Sequence, residues 1–253
     1  MKKPRFTITN LISGILAMAA ATSLHAAELK VIAGGSMTAL LKELAPPFEK
    51  ASGHTLSIHF DSTPNIISRV NSDAPFDVVV VPIDVFKDSA AKARFAPGPT
   101  IDIARVGYGV ACRAGATRPD VSTPDALKKT LLAASSIAFV PASAAGSYVT
   151  KVFERLGIGE EMKAKTKAQA GPPQIAPAIA KGEAELGVFL TNVLIAPGVE
   201  LAGSFPAELQ QELVFTSAIA AGTGQSDAAK ALIDYLKSPA AAATIKAGGM
   251  TPG

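Results

Sequence analysis

The chain has 253 residues, 48% of them apolar and 18% charged. Its formal charge of +3 equals the contribution of Lys2, Lys3 and Arg5, so the rest of the chain is neutral and lacks the basic face needed for nucleic-acid binding or polybasic membrane docking, while the apolar share excludes disorder. With Cys112 as its one cysteine, the protein can form no internal disulfide and depends on its core for stability.

In chain order, the three basic residues precede an apolar stretch from Leu11 to Ala21, with a small-residue exit at Leu24-His25-Ala26. This is the layout of a cleaved secretory signal over residues 1–26. The stretch falls well short of the ~20 residues that span a bilayer, and no cysteine follows the exit to carry a lipid. A protein free in a bacterial periplasm, without a direct membrane anchor, is expected.

Glu28–Ala33 reads as a buried strand, Gly34-Gly35 as a tight turn, and Ser36 as the N-cap of a helix carrying Leu40, Leu41 and Leu44. Pro46-Pro47 should kink or break that helix. In Thr55–Phe60, Leu56, Ile58 and Phe60 alternate with polar residues, as in a strand with one face buried; Asp61-Ser62-Thr63-Pro64 then leads into a helix with Ile66, Ile67 and Val70. The valine run in Asp77–Val81 predicts a central strand covered on both faces. Ile101–Cys112 looks extended and marks a chain crossing. Thr123-Pro124-Asp125 starts a helix, Ile137–Val140 is a strand, and the loop Pro141–Ser147 feeds a helix marked by Tyr148, Val152, Phe153 and Leu156. Gly171-Pro172-Pro173-Gln174 opens another helix, through Ile175 and Ile179. Glu185–Leu190 and Glu212–Ala220 read as extended, and Ser226–Leu236 and Ala240–Ala247 as helices. Strand-helix alternation of this kind predicts an α/β fold with mostly parallel sheets.

Four of these loops follow a strand and deliver the chain into a helix: Gly34-Gly35-Ser36, Asp61–Pro64, Ala145-Gly146-Ser147 and Gly171–Gln174. Helix N-termini present unpaired N–H donors and a partial positive charge, so they hold anions without Lys or Arg, and loops at the carboxyl ends of parallel strands gather at one crevice. At up to ~2 kcal/mol per helix end and ~1.5–3 kcal/mol per charge-assisted hydrogen bond, such a crevice suffices for micromolar binding, which takes about 8 kcal/mol. A Ser or Asp at each position also serves as a plain helix cap. The sequence lacks a third glycine after Gly34-Gly35 and a Walker lysine, which excludes nucleotide motifs. His54 and His59 have no partner at metal-ligand spacing, so no metal or other cofactor is expected. Ser147 lacks a nucleophile elbow, and Cys112 on an apolar strand reads as filler.

With these residues in view, the chain resembles periplasmic solute-binding proteins of ABC transporters, specifically the molybdate-binding type. Val31–Thr38, Phe48–His54, Phe60–Thr63, Asp73–Val78 and Ala145–Tyr148 are similar to that family's landmarks in order and spacing. The resemblance implies two α/β lobes joined by two crossover segments, with lobe one at 27–105 plus 217–253 and lobe two at 106–216, and a ligand in the cleft between them. It implies ligand contacts at Ser36, Ser62, the backbone of Ala145 and the backbone of Ile175, with Thr63 and Ser147 beside them, and an inner-membrane ABC permease as partner of a monomer. Two positions depart from the family. Leu190 stands where the molybdate proteins usually have a tyrosine that donates its hydroxyl, and Asp61 stands where they have a small residue. Asp61 suits a ligand carrying its own proton, or acts as a base on a carbon acid. The second possibility makes a periplasmic isomerase of a small tricarboxylate, similar to aconitate isomerase, the alternative to a small-anion receptor.

Overall fold

The computed structural model describes residues 26–253; apart from Ala26, the expected signal segment lies outside them. Among the described residues the strands are β1 (Glu28–Gly34), β2 (Thr55–Asp61), β3 (Val78–Pro82), β4 (Ile101–Val106), β5 (Tyr108–Arg113), β6 (Ile137–Phe139), β7 (Thr166–Ala168), β8 (Leu186–Leu190), β9 (Val199–Ser204), β10 (Leu213–Ile219) and β11 (Thr251–Pro252). The helices are α1 (Thr38–Ser52), α2 (Thr63–Asn71), α3 (Ser89–Ala93), α4 (Pro124–Ala133), α5 (Ala144–Arg155), α6 (Gly159–Lys165), α7 (Ile175–Lys181), α8 (Thr191–Leu194), α9 (Ser226–Leu236) and α10 (Pro239–Ala247). None is long and apolar enough to cross a membrane.

The strands form a six-stranded sheet in the order β11-β4-β10-β3-β1-β2 and a five-stranded sheet in the order β7-β6-β8-β5-β9. The chain passes from the first sheet to the second at Gly107, between β4 and β5, and returns between β9 and β10. Both sheets are mixed, which corrects the expectation of mostly parallel ones. The β1–β2, β1–β3, β6–β7 and β6–β8 pairs are parallel, as their crossover helices require. The strands next to the two passages between sheets enter antiparallel, β10 against β3 and β4, and β5 against β8 and β9.

The valines of β3 are fully buried and alternate between two clusters. Val78 and Val80 join the large core under α1, while Val79 and Val81 face Ile66, Val70 and Phe95 on the other side. β2 lies at the sheet edge, with Leu56, Ile58, Phe60 and Asp61 half-buried and Thr55, Ser57 and His59 exposed. Helix α1 runs unbroken through Pro46 and Pro47, contrary to the expected break. Both prolines are exposed, as are Lys42 and Glu43 four residues earlier, so the carbonyls left without N–H partners face water and the cost falls. Cys112 is buried on β5, where burial first and the nearby Glu200 second push its thiol above the ordinary value; it packs as an inert apolar residue.

Candidate functional site

The strand-to-helix loops of the two sheets converge. Gly34, Gly35 and Ser36 after β1, Asp61, Ser62 and Thr63 after β2, and Ser143, Ala144 and Ala145 after β6 surround one cavity of about 20 Å³. Pro172 closes it from the side, and Pro82, Leu213 and Phe215 form the remaining wall. No Lys or Arg lines it, and Asp61 is its one charged residue. By a measure in which a single water takes ~10–15 Å³, this is room for one or two water-sized groups.

The lobes touch directly around this cavity. The amide of Ala144 donates to Thr63 Oγ1 at 3.2 Å and Asn192 Nδ2 donates to the carbonyl of Ser36 at 2.8 Å. Gly35 permits a third contact, because a Cβ there would lie 3.0 Å from Pro172 Cδ. Glycine at 35 therefore serves close approach between lobes rather than an unusual backbone angle.

Each expected contact has a definite place. Ser36 lies inside the 3₁₀ turn Gly35–Met37 and is not the cap of α1, which is Met37. Ser62 caps α2 by position, but its side chain makes no capping hydrogen bond, so its hydroxyl is available to a ligand. Helix α5 begins at Ala144, earlier than the sequence suggested, because Ser143 is its cap: Ser143 Oγ accepts from the Gly146 amide at 2.9 Å and donates to the Val140 carbonyl at 2.8 Å. With the Ala144 amide on Thr63 and the Ser147 amide on the Ser143 carbonyl, Ala145, 3% exposed, keeps the one unpartnered N–H of that turn. A free donor at a helix N-terminus facing a small cavity is an anion-binding element.

Ser147 and Ile175 sit differently. Ser147 is exposed on the first turns of α5 and lines a separate, larger cleft, not the small cavity. The Ile175 amide already donates to the Pro172 carbonyl, as the Gln174 amide does to that of Gly171. This loop supplies the wall residue Pro172 and reaches a ligand through Ile175 only by sharing that hydrogen bond. Leu190 is buried at the end of β8 and lines neither space. Its direct partner across the strand pair is Tyr108, on the same face of the sheet. Asp61 is occupied locally. Oδ1 accepts from the Ser62 amide and from Asn65 Nδ2, both at 2.7 Å, and Oδ2 lies 3.4 Å from His59 Nε2. Among the described residues no group of three or more metal-ligating side chains occurs.

The model of the bacterial extracellular solute-binding proteins matches residues 29–251. The chain belongs to that family. It is 32% identical to the aconitate isomerase of a Pseudomonas species over 92% of either chain. It is 29% identical to the molybdate-binding protein of Azotobacter vinelandii, over 96% of this chain and 98% of that one. The solved structure of an Azotobacter vinelandii periplasmic molybdate-binding protein superposes with a TM-score of 0.75 at 22% identity, covering 89% of this chain and 99% of that one. The solute-binding fold thus explains the two lobes and the two passages between them. Gly35 and Pro172 stand in two of the loops the sequence marks, whereas Phe215 of β10 was missed as a wall, because a wall made by close approach has no local sequence signal.

Proposed function

We propose that this solute-binding protein captures a small anion, a molybdate-like oxyanion or a small carboxylate, in the periplasm and presents its closed form to an inner-membrane ABC permease. The observation that carries this reading is the convergence of three strand-to-helix loops from two sheets on one small cavity without Lys or Arg, with the Ala145 amide and the Ser62 hydroxyl unpartnered beside it. The expected lobes, 27–105 plus 217–253 and 106–216, become residues 27–106 plus 213–253 and residues 107–212, because β4 and β10 pair within the first sheet. Residues 1–26 act as a cleaved export signal, and the mature protein works as a monomer without a cofactor. Ser36, Ser62, Thr63 and the Ala145 amide hold the anion.

A second reading, isomerisation of a small tricarboxylate in the same cleft, is favoured by the 32% identity to an aconitate isomerase. It requires a proton acceptor facing the substrate. Asp61 offers only Oδ2 for this, since two donors already hold Oδ1. A thermal-shift panel of molybdate, tungstate, sulfate, phosphate, citrate and the aconitate isomers, followed by NMR of each stabilising compound, separates the readings. A receptor is stabilised and returns its ligand unchanged; conversion of the ligand establishes the isomerase, and no stabilisation by any anion contradicts both.

A further inference from the structure

The small cavity shares Thr63, Ser143, Ala144 and Leu213 with a larger cleft of about 620 Å³. Two features of that cleft have no role in holding a single small anion. The first is Tyr108, which lies at its floor and is 1% exposed. Its ring packs against Tyr148 at a centroid distance of 4.8 Å and against Phe205 at 5.8 Å. Tyr108 bonds through its backbone alone, the amide to Gln210 Oε1 and the carbonyl to Gln210 Nε2 and the Phe205 amide. The Tyr148 hydroxyl donates to the Leu209 carbonyl at 2.8 Å, whereas the Tyr108 hydroxyl has no partner. The buried side-chain polar atoms without a partner among the described residues are Asn192 Oδ1, Thr216 Oγ1 and Ser217 Oγ; the Tyr108 hydroxyl is not one of them and opens into the cleft, where a ligand can reach it. Burial first, and then Asp84 and Tyr148, raise its pKa well above the ordinary tyrosine value, so the hydroxyl stays a donor.

The second feature is charge. Asp84 in this cleft is neutralised by Lys87 at 2.6 Å. Lys151, one helical turn after Ser147 on α5, lines the same cleft and makes no ion pair among the described residues. Ser147 and Lys151 share a face of the helix. The larger cleft therefore carries one uncompensated positive charge next to a hydroxyl pair, Ser147 and Tyr108, while the small cavity carries none.

We propose that the ligand spans both spaces, with one carboxylate on the amides of the small cavity and another in the larger cleft on Tyr108, Ser147 and Lys151, so that this protein takes a short di- or tricarboxylate rather than a single-centre oxyanion. This rests on the anion reading above and narrows it to a substrate class. Calorimetry on the mature chain tests it with tricarballylate, molybdate and sulfate as probes, using Lys151→Ala, Tyr108→Phe and Ser62→Ala. Tricarballylate should bind more tightly than either oxyanion, and Lys151→Ala and Tyr108→Phe should each weaken it about tenfold, the effect of one lost hydrogen bond to a charged group, without altering the melting temperature. If an oxyanion binds and tricarballylate does not, or if both cleft variants bind tricarballylate like the parent, the two-space ligand is overturned while the anion site stands. If no probe binds, both the anion site and this extension of it fail.

Discussion

Two serines flank the cavity in nearly equivalent positions, at the starts of α2 and α5, yet their bonds differ, and replacing each by alanine separates ligand binding from helix capping. Ser143 makes both capping bonds of α5, to the Gly146 amide and the Val140 carbonyl. Ser143→Ala leaves these two groups without partners beside a buried turn and should cost about 1–2 kcal/mol of stability, at ~2–4 °C of melting temperature per kcal/mol for a chain of this size. Ser62 makes no capping bond, so Ser62→Ala should leave the melting temperature within about 1 °C of the parent, the small change expected when no capping bond is lost. Its effect should appear in binding. One hydrogen bond to a charged ligand is worth ~1.5–3 kcal/mol, a loss of roughly tenfold to a hundredfold in Kd. Thermal melts of both apo variants and calorimetry with the tightest anion of the panel measure the two effects. Parental affinity in Ser62→Ala, or a capping-sized loss of stability in that variant, would refute the reasoning.

Gly35→Ala places a Cβ 3.0 Å from Pro172 Cδ, which should push the lobes apart and weaken anion binding several-fold, by calorimetry, with little change in the apo melt. Gln210→Ala removes the side chain that joins the two passages between sheets by bonding both backbone groups of Tyr108; leaving the Tyr108 amide without a partner should cost ~1–3 kcal/mol in denaturant unfolding. Glu185 accepts from the Ser135 hydroxyl and amide, which lower its pKa. Its contribution to stability is therefore present above the unfolded value of about 4.3 and lost as pH falls through the lower folded value. Glu185→Gln should melt below the parent at pH 7, and the difference should close in acid; a difference independent of pH would contradict the assignment.

The regular elements were legible where composition and period agree. The valines of β3, the alternation of β2 and the Thr123-Pro124 start of α4 each carry a local physical cause, and each element forms as expected. The Pro46-Pro47 break failed because local propensity is silent on exposure, and exposure decides whether freed carbonyls are tolerated. The strand β9 gave no strong pattern, since its residues are only half-buried at a sheet edge. At the site, Gly34-Gly35-Ser36 and Asp61–Thr63 announced themselves as turns before helices. Ser147 misled because the true cap, Ser143, stands four residues earlier in the same Ser- and Ala-rich loop. Tyr108 was hidden in the crossing strand, since only the folded chain sets its hydroxyl against a cleft built from both lobes.

The central claim, that main-chain amides at converging helix starts hold the anion, is tested most directly by following backbone amides in a nitrogen-15 NMR titration with the best-binding anion. The Ala145 amide should shift furthest downfield, accompanied by Ser36, Ser62 and Thr63, with slowed hydrogen exchange at Ala145. Unmoved signals at these four positions, with shifts instead at Lys30 and Arg94 in the groove at the opposite end of the first sheet, would contradict it.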